Sequence, residues 1–175
     1  MVNYFELYEL PVSFHPEQAA VKKKFYELSR QFHPDRFVQG GSDAMSEALK
    51  MSAIINEGYK VLKDADATMQ YVLQYYGVLE DEEKYTLPPN FLMEMMELNE
   101  AVSELELEAN EDSKELAIGS WQSLNEQLEN ELKILTDKHD AGDRNQNLFW
   151  AIKDGYFRKK YLLRIQERIA KFATP

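Results

Sequence analysis

The chain has 175 residues, of which 44% are hydrophobic and 12% aromatic, enough to build the core of one ordinary domain or two small ones. Its 31 acidic and 20 basic residues give a formal net charge of −11, which argues against non-specific binding to nucleic acid or anionic membranes. The absence of cysteine excludes disulfides and thiolate chemistry. Without an apolar run of bilayer length or a leader-like start, we expect a soluble cytoplasmic protein.

The sequence offers little for catalysis or for a bound cofactor. Its three histidines, His15, His33 and His139, have no helical ligand spacing, so a zinc site is not expected. There is no glycine-rich phosphate loop and no nucleophile with a base and an orienting group at workable spacing. We therefore expect no resident metal or cofactor and no intrinsic enzyme activity.

Leu, Met, Glu and Lys recur at spacings of three and four, and Val, Ile and Thr never form alternating runs, so the pattern predicts an all-α fold. The second predicted helix, from about Pro16 to Phe32, has an apolar side for packing and a basic side for binding. It should form an antiparallel hairpin with the third helix, flanked by two short helices. The four predicted N-terminal helices cover about residues 3–10, 16–32, 42–63 and 65–76.

An acidic, proline-containing stretch separates this N-terminal part from the rest of the chain. Three long helical patterns follow it, at about residues 89–109, 113–138 and 144–171, and we expect a three-helix bundle. Apolar residues in the middle pattern keep a spacing close to that of coiled coils. The predicted boundaries are residues 1–77 for the N-terminal domain, 78–88 for the linker and 89–175 for the bundle.

A His-Pro-acid triplet occurs twice, as His15-Pro16-Glu17 and as His33-Pro34-Asp35. The first lies at a predicted helix start, where proline and glutamate are ordinary residues, and we interpret it as a cap. The second follows the basic helix and precedes a glycine-containing loop. It fits either a simple helix stop or a recognition signal.

The order of short helix, basic helix, His33-Pro34-Asp35, loop and antiparallel helix resembles the J-domain of co-chaperones. The stretch from Tyr4 to Phe37 resembles the HscB-type branch, which serves iron-sulfur cluster assembly. That resemblance implies docking on an ATPase chaperone of the heat-shock seventy class and stimulation of its ATP hydrolysis. Tyr26 and Glu27 stand where many general J-domains have basic residues, which favours a dedicated partner. The implied chaperone-binding residues are His33, Pro34, Asp35, Lys22, Lys23, Lys24, Arg30 and Arg36.

The first helix of the predicted bundle has more apolar residues than a core face requires. At about 100° per residue, Phe91, Met95 and Leu98 share one face with two later residues. Leu92, Met93 and Met96 remain on roughly the opposite face, among carboxylates. This second face either binds a partner, for which adaptable methionines are suited, or is covered by neighbouring parts of the protein.

The HscB-type resemblance implies that this second face binds the IscU-type scaffold on which iron-sulfur clusters are built. Phe157, in the last helix, aligns with an aromatic residue of the family, although the residue itself fits core packing as well. Met96 replaces what is usually a branched aliphatic residue. The implied scaffold-binding residues are Leu92, Met93, Met96, Glu97, Glu100, Glu104 and Phe157.

The leading hypothesis is a co-chaperone that binds an IscU-type scaffold, delivers it to an HscA-type or DnaK-type chaperone and stimulates the ATPase of that chaperone. Two alternatives stay open. One is a J-domain co-chaperone for a different client. The other is a structural helical adaptor with an inactive J-domain.

Overall fold

The computed structural model describes residues 2–173, with side chains described throughout except at 38–40 and 173. Every regular element in this range is helical, as predicted. The chain divides into two compact units, Met1–Leu79 with His139–Gly142, and Glu80–Lys138 with Asp143–Pro175. The elements are α1 (Tyr4–Leu7), α2 (Gln18–Gln31), a 3-10 helix (Pro34–Gly40), α3 (Gly41–Lys63), α4 (Ala65–Tyr75), α5 (Pro89–Leu107), α6 (Glu111–Asp140) and α7 (Gln146–Ala173).

The first unit is built around α3, which packs against α1, α2, α4 and the 3-10 helix. Phe25 of α2 stacks on Tyr59 of α3 with ring centroids 4.2 Å apart. The hydroxyl of Tyr8 donates a 2.6 Å hydrogen bond to the carbonyl of Ile55. Gly58 is needed at this point because a Cβ there would lie 2.9 Å from the Tyr8 ring. These contacts hold the predicted hairpin and its flanking helices together.

Two N-terminal boundaries differ from the predicted ones. Helix α1 ends at Leu7, and Glu9 has a φ of 53°, so the helix ends three residues before the predicted boundary at residue 10. Helix α2 begins at Gln18, two residues after Pro16. The reason is that the Glu17 side chain accepts hydrogen bonds from the backbone N–H groups of Ala19 and Ala20 and so acts as the N-cap.

The second unit contains α5, α7 and all of α6 except its last two residues, and α5 contacts α7. Trp121 of α6 donates a 2.9 Å hydrogen bond from Nε1 to the carbonyl of Leu162 in α7. A Cβ at Gly155 would clash with Leu132 of α6, so this glycine permits close approach of the two helices. The apolar residues of α5 that were predicted to form the core are all buried: Phe91, Met95, Leu98, Val102 and Leu105.

Two candidate binding surfaces

The second His-Pro-acid triplet lies where α2 ends, and its side chains point outward. The side chains of His33 and Asp35 are 58% and 86% exposed. His33 caps the 3-10 helix, since its Nδ1 accepts a 3.3 Å hydrogen bond from the backbone N–H of Asp35. With Nδ1 as acceptor, the neutral imidazole carries its proton on Nε2, where it can donate to a partner. Pro34 occupies the first position of the 3-10 helix, which suits its fixed φ.

Most of the basic residues around the triplet are exposed. Lys22, Lys23 and Arg30 lie on the exposed side of α2. Arg36 is also exposed and donates a 3.1 Å hydrogen bond from its guanidinium to the carbonyl of Arg30, which ties the loop back to the end of the helix. We call the following residues the α2 surface: Lys22, Lys23, Arg30, His33, Pro34, Asp35 and Arg36.

Lys24 differs from the other predicted basic residues. Its side chain is only 19% exposed, and its ammonium group lies 2.6 Å from the Glu9 carboxylate and 3.7 Å from that of Glu27. The hydrogen bond to Glu9 raises the pKa of Lys24. Neutralised by carboxylates within the unit, Lys24 contributes little positive charge to the exposed side of α2.

The first triplet has a structural role, as its interpretation as a cap predicts. Glu17 caps α2, and the backbone N–H of His15 donates to the Asp140 carboxylate at 3.1 Å. Asp140 also accepts from the Ser13 hydroxyl and from the Phe14 N–H. Burial would raise the pKa of Asp140, but these donors and the His139 ring outweigh it, and the pKa is lowered. This segment is therefore held by Asp140, a link that nothing in the sequence pattern indicated.

The second apolar face of α5 is exposed. Leu92, Met93 and Met96 are 43%, 69% and 59% exposed, although the opposite side of the same helix is core. Glu97, Glu100 and Glu104 are exposed around them. A helix with three exposed large apolar side chains on one face has a surface suited to bind a partner. We call these six residues the α5 face: Leu92, Met93, Met96, Glu97, Glu100 and Glu104.

Phe157 of α7 is half-buried because a segment preceding α5 covers it. The ring of Tyr85 stacks on Phe157 with centroids 4.4 Å apart and planes 3° from parallel. The Tyr85 hydroxyl donates a 2.7 Å hydrogen bond to Asp154, and burial together with this bond raises the pKa of Tyr85 to about 12. Beside it, Glu83 forms a 2.6 Å ion pair with Lys153. Contact of Phe157 with a partner, which the resemblance implies, is thus restricted by Tyr85.

The sequence did not indicate how α5 is fixed against α7. Asn99 donates from Nδ2 to the Met95 carbonyl at 2.7 Å and to the Tyr161 hydroxyl at 2.9 Å. Arg168 forms a two-bond ion pair with Glu106, both bonds being 2.9 Å long, which lowers the pKa of Glu106. These polar contacts set the position of α5 along α7, and thereby the position of the α5 face.

Among the described residues, no three or more His, Cys, Asp or Glu side chains are grouped so that they could hold a metal ion. No helix within residues 2–173 is long and apolar enough to cross a membrane.

Comparison with known proteins finds similarity to one family. Residues 87–170 match the family model described as the HSCB C-terminal oligomerisation domain. A co-chaperone protein HscB homolog of Vibrio cholerae is 38% identical over 100 residues, a segment that spans 57% of this chain and 58% of the relative. The homolog of Psychromonas ingrahamii is 29% identical over 166 residues, covering 94% and 93% of the two chains.

Two solved structures resemble this protein over nearly the whole length of its chain. Chaperone HscB from Vibrio cholerae matches with a TM-score of 0.78 and 26% identity, over 97% of this chain and 96% of that one. Human co-chaperone protein HscB shares the fold, with a TM-score of 0.76 and 23% identity over 98% and 82% of the chains. The class of protein that this chain resembles is therefore that of all-α co-chaperones. The chain is similar to HscB co-chaperones over nearly its whole length, and its residues 87–170 match the family model of their C-terminal domain.

Proposed function

We propose that this protein is a J-domain co-chaperone of iron-sulfur cluster assembly. It binds an IscU-type scaffold through the α5 face and presents the α2 surface to an ATPase chaperone of the HscA or DnaK type. ATP hydrolysis takes place in that chaperone and is stimulated when the scaffold is delivered. The iron-sulfur cluster is cargo of the scaffold, and this chain supplies no ligand to it.

The observation that supports this proposal most directly is the exposure of Leu92, Met93 and Met96 on a helix whose other face is already core. Burying such side chains against a partner is favourable by about 25 cal/mol per Å² of apolar surface removed from water. The carboxylates around them add a preference for a partner with basic residues. Similarity to HscB co-chaperones supports the assignment of that partner as a cluster scaffold.

The α2 surface supports the second half of the proposal through its chemistry. Asp35 is an exposed acceptor, His33 can donate from Nε2, and Pro34 fixes the backbone between them. The basic residues beside them attract an acidic docking site and speed the encounter. A protein that binds scaffold and chaperone together raises the effective concentration of one near the other.

Steady-state ATPase measurements on the chaperone test the proposal. The rate is measured for the chaperone alone, with this protein, with an IscU-type scaffold, and with both. We expect this protein and the scaffold together to raise the rate by more than the product of their separate effects. Stimulation by this protein with no further effect of scaffold would indicate a different client. No stimulation at all would indicate a structural adaptor.

A further inference from the structure

The middle of α7 has two exposed basic side chains, Lys160 and Arg164, that form no ion pair with a carboxylate among residues 2–173. Their charged groups lie over the rings of Tyr156 and Tyr161, at 5.3 Å and 5.8 Å from the centroids. Four other basic residues of α7 are held in ion pairs, namely Lys153, Arg158, Lys159 and Arg168, and Lys171 lies in the last turn of the helix. In a chain with a net charge of −11, two basic residues left outside ion pairs are available to a partner.

Lys160 and Arg164 lie on the same side of the second unit as the α5 face. The Asn99–Tyr161 and Glu106–Arg168 contacts both join residues 62 positions apart, so α5 and α7 run parallel. This offset puts Lys160 and Arg164 level with the middle of α5. At about 100° per residue, Arg164 is about 60° from Tyr161, on the side of α7 that turns away from the core.

The α5 face and the outer side of α7 together form a surface with two differently charged edges. Glu97, Glu100 and Glu104 make the α5 edge acidic, whereas Lys160 and Arg164 make the α7 edge basic. The exposed apolar residues lie toward the N-terminal end of α5, and Leu92 and Met96 are on the side of that helix nearer to α7. Packed helix axes are about 8–10 Å apart, a distance similar to the Debye length of about 8 Å at physiological ionic strength. Salt therefore partly screens the charges of one edge from those of the other, so each edge attracts its own oppositely charged groups. The acidic edge disfavours binding of nucleic acid or anionic lipid to this surface.

We propose that Lys160 and Arg164 are the basic edge of the scaffold-binding surface and pair with carboxylates of the scaffold. The inference rests on the proposed function and makes the required partner more specific. The scaffold must present an apolar patch with basic residues on one side and acidic residues on the other. Such a pattern also fixes the orientation of the bound scaffold, since a reversed scaffold would put like charges together.

The test measures the affinity of the whole protein for a purified IscU-type scaffold by titration calorimetry, at low and at high salt. We expect Lys160→Glu with Arg164→Glu to weaken binding about tenfold at low salt and less at high salt, because reversal replaces attraction by repulsion. Lys133→Glu with Lys138→Glu, exposed residues of α6, changes the net charge equally and should alter binding less than about twofold. Circular dichroism and melting temperature check that both variants fold like the wild type.

Zero-length carbodiimide cross-linking identifies the partner of Lys160 directly. We expect its ammonium group to be joined to an Asp or Glu of the scaffold. Unchanged affinity of the double reversal, with scaffold still bound by the wild type, overturns this inference and leaves the proposed function intact. A wild type that binds no scaffold overturns both. Cross-links from Lys160 to Glu97, Glu100 or Glu104 of a second copy, in place of scaffold, would overturn it in favour of self-association.

Discussion

The α2 surface ends in a loop whose side chains make few contacts within the protein, whereas the α5 face lies on a long helix with core on its other side. Asp35 is 86% exposed and His33 contacts mainly its own turn. Met93 is 69% exposed, but its helix is fixed by six buried residues and by the Asn99 contacts. The first surface therefore depends on charge and hydrogen-bond direction, and the second on burial of apolar area.

Because the two surfaces differ in this way, substitutions in one should leave the function of the other intact. Substitutions in the α2 surface should remove chaperone stimulation and leave scaffold binding intact. Substitutions in the α5 face should do the reverse. Neither should unfold the protein, because the side chains concerned are exposed.

The largest effect is expected for His33→Gln. The substitution replaces the ring that caps the 3-10 helix and donates from Nε2, so stimulation of the chaperone ATPase should fall to about the unstimulated rate. Scaffold affinity should stay as in the wild type. His15→Gln, in the other His-Pro-acid triplet, is the matched control and should stimulate normally. Equal ATPase rates for His33→Gln and wild type would show that the α2 surface is inactive.

The next effect is on scaffold affinity. Leu92→Ala, Met93→Ala and Met96→Ala combined should weaken binding about a hundredfold, because each loses about 1 kcal/mol of apolar burial. Leu107→Ala with Leu116→Ala is the control, since these leucines are 89% and 53% exposed outside the α5 face. Titration calorimetry measures both variants. Unaltered affinity of the triple variant would rule out the α5 face as the binding site.

Stability is the readout for the contact that covers Phe157. Tyr85→Ala loses both the ring stack and the hydrogen bond to Asp154, and should lower the free energy of unfolding by about 2 kcal/mol. Tyr85→Phe keeps the stack and should lose about 1 kcal/mol. Chemical denaturation measures both. If Tyr85→Ala were as stable as the wild type, the stack would not hold Phe157, and α7 would be open to a partner there.

The smallest effect separates the lysines of α2. Lys22→Ala with Lys23→Ala should lower the association rate with the chaperone about fivefold at low salt, because exposed charges steer the encounter. Lys24→Ala should change this rate less than about twofold, since Glu9 already neutralises that ammonium group. Stopped-flow kinetics at two salt concentrations measure the rates. An equal or larger effect of Lys24→Ala would mean that the Lys24–Glu9 pair opens on binding.

The periodicity of the sequence determined much of the fold. Helices that bury one stripe of residues must repeat their apolar residues every three or four positions, so the all-α fold and the buried side of α5 could be predicted. The end of α2 could also be predicted, because Pro34 cannot donate the hydrogen bond that would continue the helix. The 3-10 helix that follows was not predicted, since it depends on the way His33 caps it.

Tertiary structure alone decided which predicted surface residues are available. Lys24 forms an ion pair with Glu9, which lies just after α1. Phe157 is covered by Tyr85, which is 72 residues earlier in the chain. From the sequence, Leu92, Met93 and Met96 could either bind a partner or be covered by neighbouring parts of the protein. In the structure they are exposed within their unit. Periodicity reports the direction in which a side chain points from its own helix. Whether another segment covers it depends on contacts between residues far apart in the chain, which no local pattern records.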